Sequence, residues 1–398
     1  MRTIREQSLE LHKQAKGKLS VNIKVDVQNA HDLSLVYSPG VAEPCKEIHE
    51  NPEKVYDYTI KGNLVAIVSD GTSVLGLGNI GGAASMPVME GKSALFKAFA
   101  DIDAFPICLN ITDPEQIIQT VKAMEPTFGG INLEDISAPN CFIIEERLKK
   151  EMNIPVFHDD QHGTAIVTAA GLINSLKLVN KKLRDSTVVV NGAGAAGIAI
   201  TKLLFNMGVY DIILCDSKGA IYSGRSNGMN DMKESITKIT NKNNLKGSLQ
   251  EVIKGTDVFV GVSVARALTK EMILTMKEDP IIFAMANPDP EIMPAEAIAA
   301  GAAVIGTGRS DLPNQVNNVL AFPGIFKGAL KVFASEINEE MKLAAVYAIS
   351  NLVDPEELTN EYIIPNVFDS RVVEAVADAV AQAAMDTGVA RRVENLSI

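Results

Sequence analysis

The segment VVVNGAGAAGIAI (188–200) constrains this chain more than any other stretch of it. It sets Gly192-x-Gly194-x-x-Gly197 directly after a β-branched run and directly before an apolar stretch of helical period. Alone, a glycine triplet of this spacing is weak evidence. Between a strand and a helix it predicts a dinucleotide-binding turn. The first glycine permits a tight turn, the second lets the backbone approach a pyrophosphate, and the third allows close helix–strand packing. The helix N-terminus then offers N–H donors to the phosphates. Gly192, Ala193, Gly194, Ala195, Ala196 and Gly197 are the expected cofactor cradle. Asp216 ends the next apolar run, DIILCD, 24 positions beyond Gly192. That is near the ~20-residue offset at which a carboxylate bonds the ribose 2′-hydroxyl. A carboxylate there repels a 2′-phosphate, so the reading favours NAD, with NADP as the alternative because Lys218 lies beside it. A glycine turn used only for packing is the competing interpretation.

The rest of the chain supplies a fold around that turn. From Asn63, short apolar runs alternate with helical patterns. Strands are expected at 64–70, 105–111, 129–136 and 154–160, and helices at 86–100, 113–124, 141–152 and 163–179. Asp113 and Pro114 read as the N-cap and first residue of one of these helices. The charged stretch NKKLRD (180–185) precedes a second series of strands, at 186–191, 211–216, 256–262, 280–288 and 302–308, and an alanine-rich helical tail. Such alternation predicts parallel sheets covered on both faces. The expected architecture is two α/β domains: an N-terminal one (1–160) with a small parallel sheet, and a C-terminal Rossmann-type doubly wound one (161–398) with the tail. The first 60 residues read as a helix at 2–16 followed by irregular chain.

Composition excludes several functions. A net charge of −12 does not fit a protein whose affinity rests on neutralising nucleic-acid phosphates. No uncharged apolar run approaches the ~18 residues of a membrane span, and the N-terminus lacks a signal-peptide core. The four cysteines form no C-x-x-C pair, which fits a reduced, cytoplasmic protein without a disulfide framework.

The chemistry is written in acids. Glu134 and Asp135 close the third strand of the first series, and Asp159 and Asp160 close the fourth. Ligands bind at the C-terminal ends of parallel strands. Four carboxylates gathered there would repel one another without a hard divalent cation, Mg2+ or Mn2+. Zinc competes on the strength of His158 and His162, four residues apart, although no cysteine is nearby. A solvated acidic edge is the bland alternative.

At these residues the chain resembles the malic enzymes in their shorter bacterial form. YSPGVAEPC (37–45), SDGTSVLGLGNIG (69–81), PVMEGKSALFKAF (87–99), INLEDI (131–136), FHDDQHGTA (157–165), VNGAGAAG (190–197), ANPDPE (286–291) and NNVLAFPG (317–324) occur in family order across nearly the whole chain. The resemblance implies oxidation and decarboxylation of L-malate to pyruvate and CO2 with NAD(P)+. It implies Tyr37 as general acid, Lys92 as general base and Asp159 as the acid that orients the lysine. It further implies Glu134, Asp135 and Asp160 as metal ligands, and Asn287 and Asn318 as contacts of nicotinamide or substrate. Ser73 stands where the larger enzymes carry a carboxylate-gripping arginine, and His162 where they carry another residue; His162 has no assigned role. A homodimer is implied, in which a partner subunit is a candidate source of Tyr37. The rival expectations are a hydroxyacid dehydrogenase that stops at the keto acid, a decarboxylase of another β-hydroxy acid, and a non-catalytic dinucleotide sensor.

Overall fold

Two parallel sheets organise the chain. This computed structural model describes residues 2–392; the last six residues of the expected C-terminal domain, 393–398, lie outside the described residues. The first sheet holds β1 (Leu64–Ser69), β2 (Asp103–Cys108), β3 (Gly130–Leu133) and β4 (Val156–His158), in the order β2-β1-β3-β4. The second holds β5 (Thr187–Asn191), β6 (Asp211–Asp216), β7 (Gly219–Ala220), β8 (Val258–Gly261), β9 (Ile281–Ala284) and β10 (Val304–Thr307), in the order β10-β9-β8-β5-β6-β7. Helices cover both faces, so the central strands bury nearly every residue and read as continuous apolar runs. Among the strands of the described residues only β7 is antiparallel; this two-residue return on β6 has no periodic signal in the sequence.

Local chemistry sets the helix ends. The Asp113 side chain accepts the Gln116 N–H at 2.9 Å with Pro114 at the first position, as expected. The helix Gly81–Ala100 begins five residues before the reading that put Pro87 in its first turn; Pro87 sits inside it. The fourth strand stops at His158, and Asp159 and Asp160 open the helix Asp159–Leu178 rather than closing the strand. Acidic side chains are favoured there because the helix N-terminus carries partial positive charge.

The tail helices Phe322–Lys331, Glu339–Asn351 and Arg371–Asp386 close over the first sheet as well as the second. Phe96 meets Phe322 and Phe326 at ring separations of 4.7 and 5.3 Å, and Phe157 meets Phe326 at 5.9 Å. One buried apolar cluster therefore runs from Val65 to Ala384 through both sheets. Truncating Phe326 would cost about 3–5 kcal/mol, by the usual price of a large aromatic in a closed core. The first 60 residues form short helices, Ile4–Ala15, Ala30–Val36 and Ala42–Glu50, none of which contains a buried residue.

Candidate active site

Strand register brings the acids together. In the first sheet Leu133 pairs with Val68 on one side and with His158 on the other. The residues that follow, Glu134 and Asp159, therefore leave neighbouring strands at the same edge. The Gly81–Ala100 helix brings Lys92 over that edge. Its Nζ lies 2.6 Å from Asp159 Oδ2 and 3.0 Å from Glu134 Oε1, and 4.4 Å from the centre of the Phe322 ring. Asn318 donates its amide to the same Asp159 oxygen. Lys92, Glu134, Asp135 and Asp159 are all buried, and Asp159 is fully so.

The loop after β3 is held in an unusual shape. Asp135 has φ 55°, a left-handed conformation that aspartate tolerates better than most residues. Two hydrogen bonds fix it: its N–H donates to Asp160 Oδ2 at 2.8 Å, and its carbonyl accepts the Ser73 N–H at 2.9 Å. Ser73 thus meets this loop through its backbone. Asn132, which the sequence reading passed over, donates to Glu134 Oε2 at 2.8 Å. Its position two residues before Glu134, on the same face of β3, was the available signal.

Electrostatics explain why these acids are grouped. Burial, with mutual repulsion added, pushes the Glu134, Asp135 and Asp160 carboxyls well above the ordinary range. Burial raises Asp159 too, to about 7, against the pull of Lys92. Burial also opposes the Lys92 ammonium, but Asp159 and Glu134 outweigh it and hold the lysine protonated. One lysine cannot neutralise four acids. Ligand oxygens of Glu134, Asp135 and Asp160 all lie within 4.8 Å of one another, and a buried Asp135 oxygen has no partner. An all-oxygen set of this kind fits a hard dication such as Mg2+ or Mn2+.

The histidines do not converge on it. His158 is fully buried with its Nδ1 3.8 Å from Asp160 Oδ2, and burial lowers its pKa to about 4. His162 points the other way, to Glu145 at 2.7 Å. The zinc alternative loses its two-histidine basis.

The second sheet carries the glycine turn where expected. Gly192 has φ 121°, and a Cβ there would meet the Val262 carbonyl at 2.4 Å; one on Gly197 would meet the Gly192 carbonyl at 1.7 Å. A Cβ on Gly194 would meet nothing within 4 Å, so that side of the turn is open. The helix Ala195–Asn206 starts there without a side-chain cap, leaving N–H groups for an anion. Asp216 ends β6, but its carboxylate is occupied. Arg225 grips it with two nitrogens, Lys233 Nζ lies 2.6 Å away, and the Lys218 N–H donates at 2.8 Å. Burial works against the Asp216 charge, yet Arg225 and Lys233 hold its pKa down to about 2. Nothing in the sequence pattern singled out Arg225 or Lys233.

Two expected residues stand apart from this arrangement. Tyr37 is 69% exposed, and its hydroxyl has no hydrogen-bond partner among the described residues. Asn287 is also exposed, in the loop after β9, where its amide lies against Gly308.

Hydride transfer alone does not require a dication, whereas Glu134, Asp135 and Asp160 form an oxygen set that fits one. This cluster of acids and a lysine, in a chain with a Rossmann sheet, points to a class: nicotinamide-dependent oxidoreductases whose oxidation is coupled to a second, cation-assisted step. Comparison with known proteins narrows the class. The family model "Malic enzyme, N-terminal domain" matches residues 16–149, and "Malic enzyme, NAD binding domain" matches residues 161–385. The bifunctional malic/malolactic enzyme of Bacillus subtilis is 68% identical over 98% of this chain and 95% of its own length. The NAD-dependent malic enzyme of Geobacillus stearothermophilus is 59% identical over 94% of this chain and 78% of its own. The crystal structure of the Thermotoga maritima NAD-dependent malic enzyme superposes with a TM-score of 0.91 at 51% identity, covering 94% of this chain and 98% of that one. The chain belongs to the malic enzyme family. It is an oxidoreductase of the decarboxylating kind, with NAD(P) as coenzyme.

Proposed function

We propose that the Lys92 pocket binds L-malate and carries its C2 oxidation and C4 decarboxylation to pyruvate. The observation that carries this reading is the buried lysine held between Asp159 and Glu134, beside an oxygen set fit for a dication. Glu134, Asp135 and Asp160 would hold Mg2+ or Mn2+, which supplies Lewis-acid polarisation at the substrate's C2 oxygen. The Gly192–Gly197 turn would hold the pyrophosphate of the coenzyme, which supplies the hydride acceptor.

The chain's own residues do the proton work. Lys92 takes the C2 hydroxyl proton. To do so it must first lose its own, and sharing Glu134 and Asp160 with a cation removes part of the charge that now pins it. Asp159, bonded to both Lys92 and Asn318, aims the amine. After loss of CO2, Tyr37 protonates C3 of the enolate. Asn318 and Asn287 position nicotinamide or substrate, and Ser73 supports the substrate side of the loop after β3.

Tyr37 reaches a pocket in a homodimer, on this reading. Leu19, Val21, Ile23, Val25 and Val27 alternate as a strand does, yet all are exposed, Val21 by 85% and Ile23 by 78%. A second copy would cover them and carry Tyr37 to its own or its partner's Lys92. The functional division falls at residue 160/161, with catalytic groups in 1–160 and coenzyme groups in 161–398. Asp216, already saturated by Arg225 and Lys233, serves as a brace for two cations; the repulsion that favoured NAD is thereby offset, and NADP is accommodated too. A cytoplasmic location is supported by four free cysteines, and among the described residues no helix is long and apolar enough to cross a membrane.

The test is nicotinamide reduction with L-malate, using NAD and NADP in parallel, with Mn2+ or with EDTA, and pyruvate assayed at the end. Cation-dependent reduction with matching pyruvate is expected. Cation-independent reduction ending at oxaloacetate would leave a simple dehydrogenase. The name of the Bacillus subtilis relative favours a second reading, malolactic activity, in which the reduced coenzyme returns its hydride to pyruvate; lactate in the same assay decides it.

A further inference from the structure

His162, in FHDDQHGTA, has no task in the chemistry above. It lies in the helix Asp159–Leu178, whose first turn carries Asp159 and Asp160. At about 100° per residue, His162 points roughly 200° away from Asp160, to the back of the helix. There its ring is held on both nitrogens. Nε2 lies 2.7 Å from Glu145 Oε1, on the helix Asn140–Glu151, and Nδ1 lies 3.3 Å from Lys342 Nζ, on the helix Glu339–Asn351. A lysine ammonium has only protons to give, so Nδ1 is the acceptor and Nε2–H donates to Glu145. Both partners are buried, Glu145 at 5% and Lys342 at 4% exposure, and Lys342 is further paired with Glu339 at 2.5 Å. The ring itself sits 5.5 Å from Phe157 of β4.

Packing alone does not call for this arrangement. Burying charged partners costs free energy, and an apolar trio of the same volume would fill the space as well or better. What directional bonds add is orientation. The front of the helix is pinned by Asp159 to Lys92 and Asn318. The back is pinned by His162 to helices on either side. A roll of roughly 15° would move a carboxylate oxygen by about 1.5 Å, given a side-chain radius of roughly 5–6 Å. Productive sites tolerate only about 0.5 Å.

We propose that His162 is a positioning residue: it bridges Glu145 and Lys342 to fix the roll of the 159–178 helix, and so aims Asp160 at the divalent cation and Asp159 at Lys92. The inference rests on the reading that Asp160, with Glu134 and Asp135, holds that cation.

Mn2+ binding tests it directly, measured by electron paramagnetic resonance on the full chain without coenzyme or substrate. His162→Phe keeps a ring of similar size and removes both bonds. His162→Gln keeps a donor and an acceptor. Lys342→Met removes the pin from the far helix. His162→Phe and Lys342→Met are expected to weaken Mn2+ binding by about tenfold or more, and His162→Gln by no more than about threefold. The same two damaging variants should lower kcat while leaving the KM for coenzyme unchanged. A folded His162→Phe protein that binds Mn2+ within about twofold of wild type overturns the proposal, even at a lower melting temperature, because the role is then packing alone. His162→Gln as damaged as His162→Phe overturns it too. If His162→Phe does not fold, Lys342→Met is judged by the same outcomes. A wild-type chain that binds no Mn2+ would bring down the cation reading first and this inference with it.

Discussion

Two regions of this protein break the ordinary partition of residues between water and core, in opposite senses. The edge of the first sheet buries Glu134, Asp135, Asp159 and Lys92. The N-terminal 60 residues expose Val21, Ile23, Leu33, Leu35 and Tyr37. Isolated exposed apolar residues are unremarkable, but buried acids and a run of alternating exposed aliphatics both ask for an occupant. The first region has its positions fixed by hydrogen bonds from four elements and wants a cation. The second leaves its alternating aliphatics exposed, the surface that the homodimer proposed above would cover.

Removing the lysine should have the largest effect on the first region. Lys92→Ala is expected to lower malate oxidation by about 10³-fold or more, a general-base loss compounded by mispositioned acids. Tyr37→Phe should spare the first hydride transfer and slow the later protonation of the enolate by about 10²-fold, read as a burst of coenzyme reduction followed by slow pyruvate formation. Full pyruvate formation in that variant would remove Tyr37 from the acid role.

Subunit mixing sharpens the second region. If Tyr37 works across the dimer, mixing Tyr37→Phe and Lys92→Ala proteins, both impaired in pyruvate formation, after dissociation restores one intact site in each mixed dimer. About a quarter of wild-type activity is then expected from a statistical mixture. No recovery, with mixed dimers verified by mass spectrometry, places Tyr37 in its own subunit's pocket.

Metal and pH together test the first region. A carboxyl whose native pKa is raised binds its proton more tightly folded than unfolded. Its contribution to stability is complete below about pH 4 and is lost as pH rises through the native values. Those values are about 6 for Asp160, about 7 for Glu134 and about 8 for Asp135. In EDTA the melting temperature should therefore fall between about pH 5 and pH 8. Mn2+ at about 100 times its Kd should restore about 2.7 kcal/mol, and restore more as pH rises, because deprotonated ligands are what it binds. A flat profile in EDTA would show that the acids are not buried against one another as described.

The smallest effect expected is at the coenzyme. Lys233→Gln should lower kcat/KM for NADP by about tenfold and barely change that for NAD, since one charge-assisted contact to a 2′-phosphate is lost. Equal losses for both coenzymes would leave Asp216, rather than the cations it braces, as the ribose contact.

Much of this was legible beforehand because it is local. The glycine turn declares itself by spacing, since Gly192 and Gly197 are demanded by backbone approaches within a few residues or one strand away. Parallel strands declare themselves by unbroken apolar runs. The acids at 134–135 and 159–160 were recognisable because strand ends are recognisable, even though Asp159 and Asp160 turned out to begin a helix.

Order along the chain was enough for the two-sheet α/β architecture, the coenzyme turn and the two acidic pairs. These depend on period, sterics and charge along the chain. Packing between distant elements settled that Asp216 is saturated by Arg225 and Lys233, that His162 faces Glu145 and Lys342 while His158 stays inside, and that a tail helix packs on Phe96 of the Gly81–Ala100 helix. Those partners lie 9 to 226 positions apart in the sequence, and no periodicity records which of many available cations or rings will be the neighbour. That choice belongs to the three-dimensional packing, where distance along the chain has no bearing on distance in space.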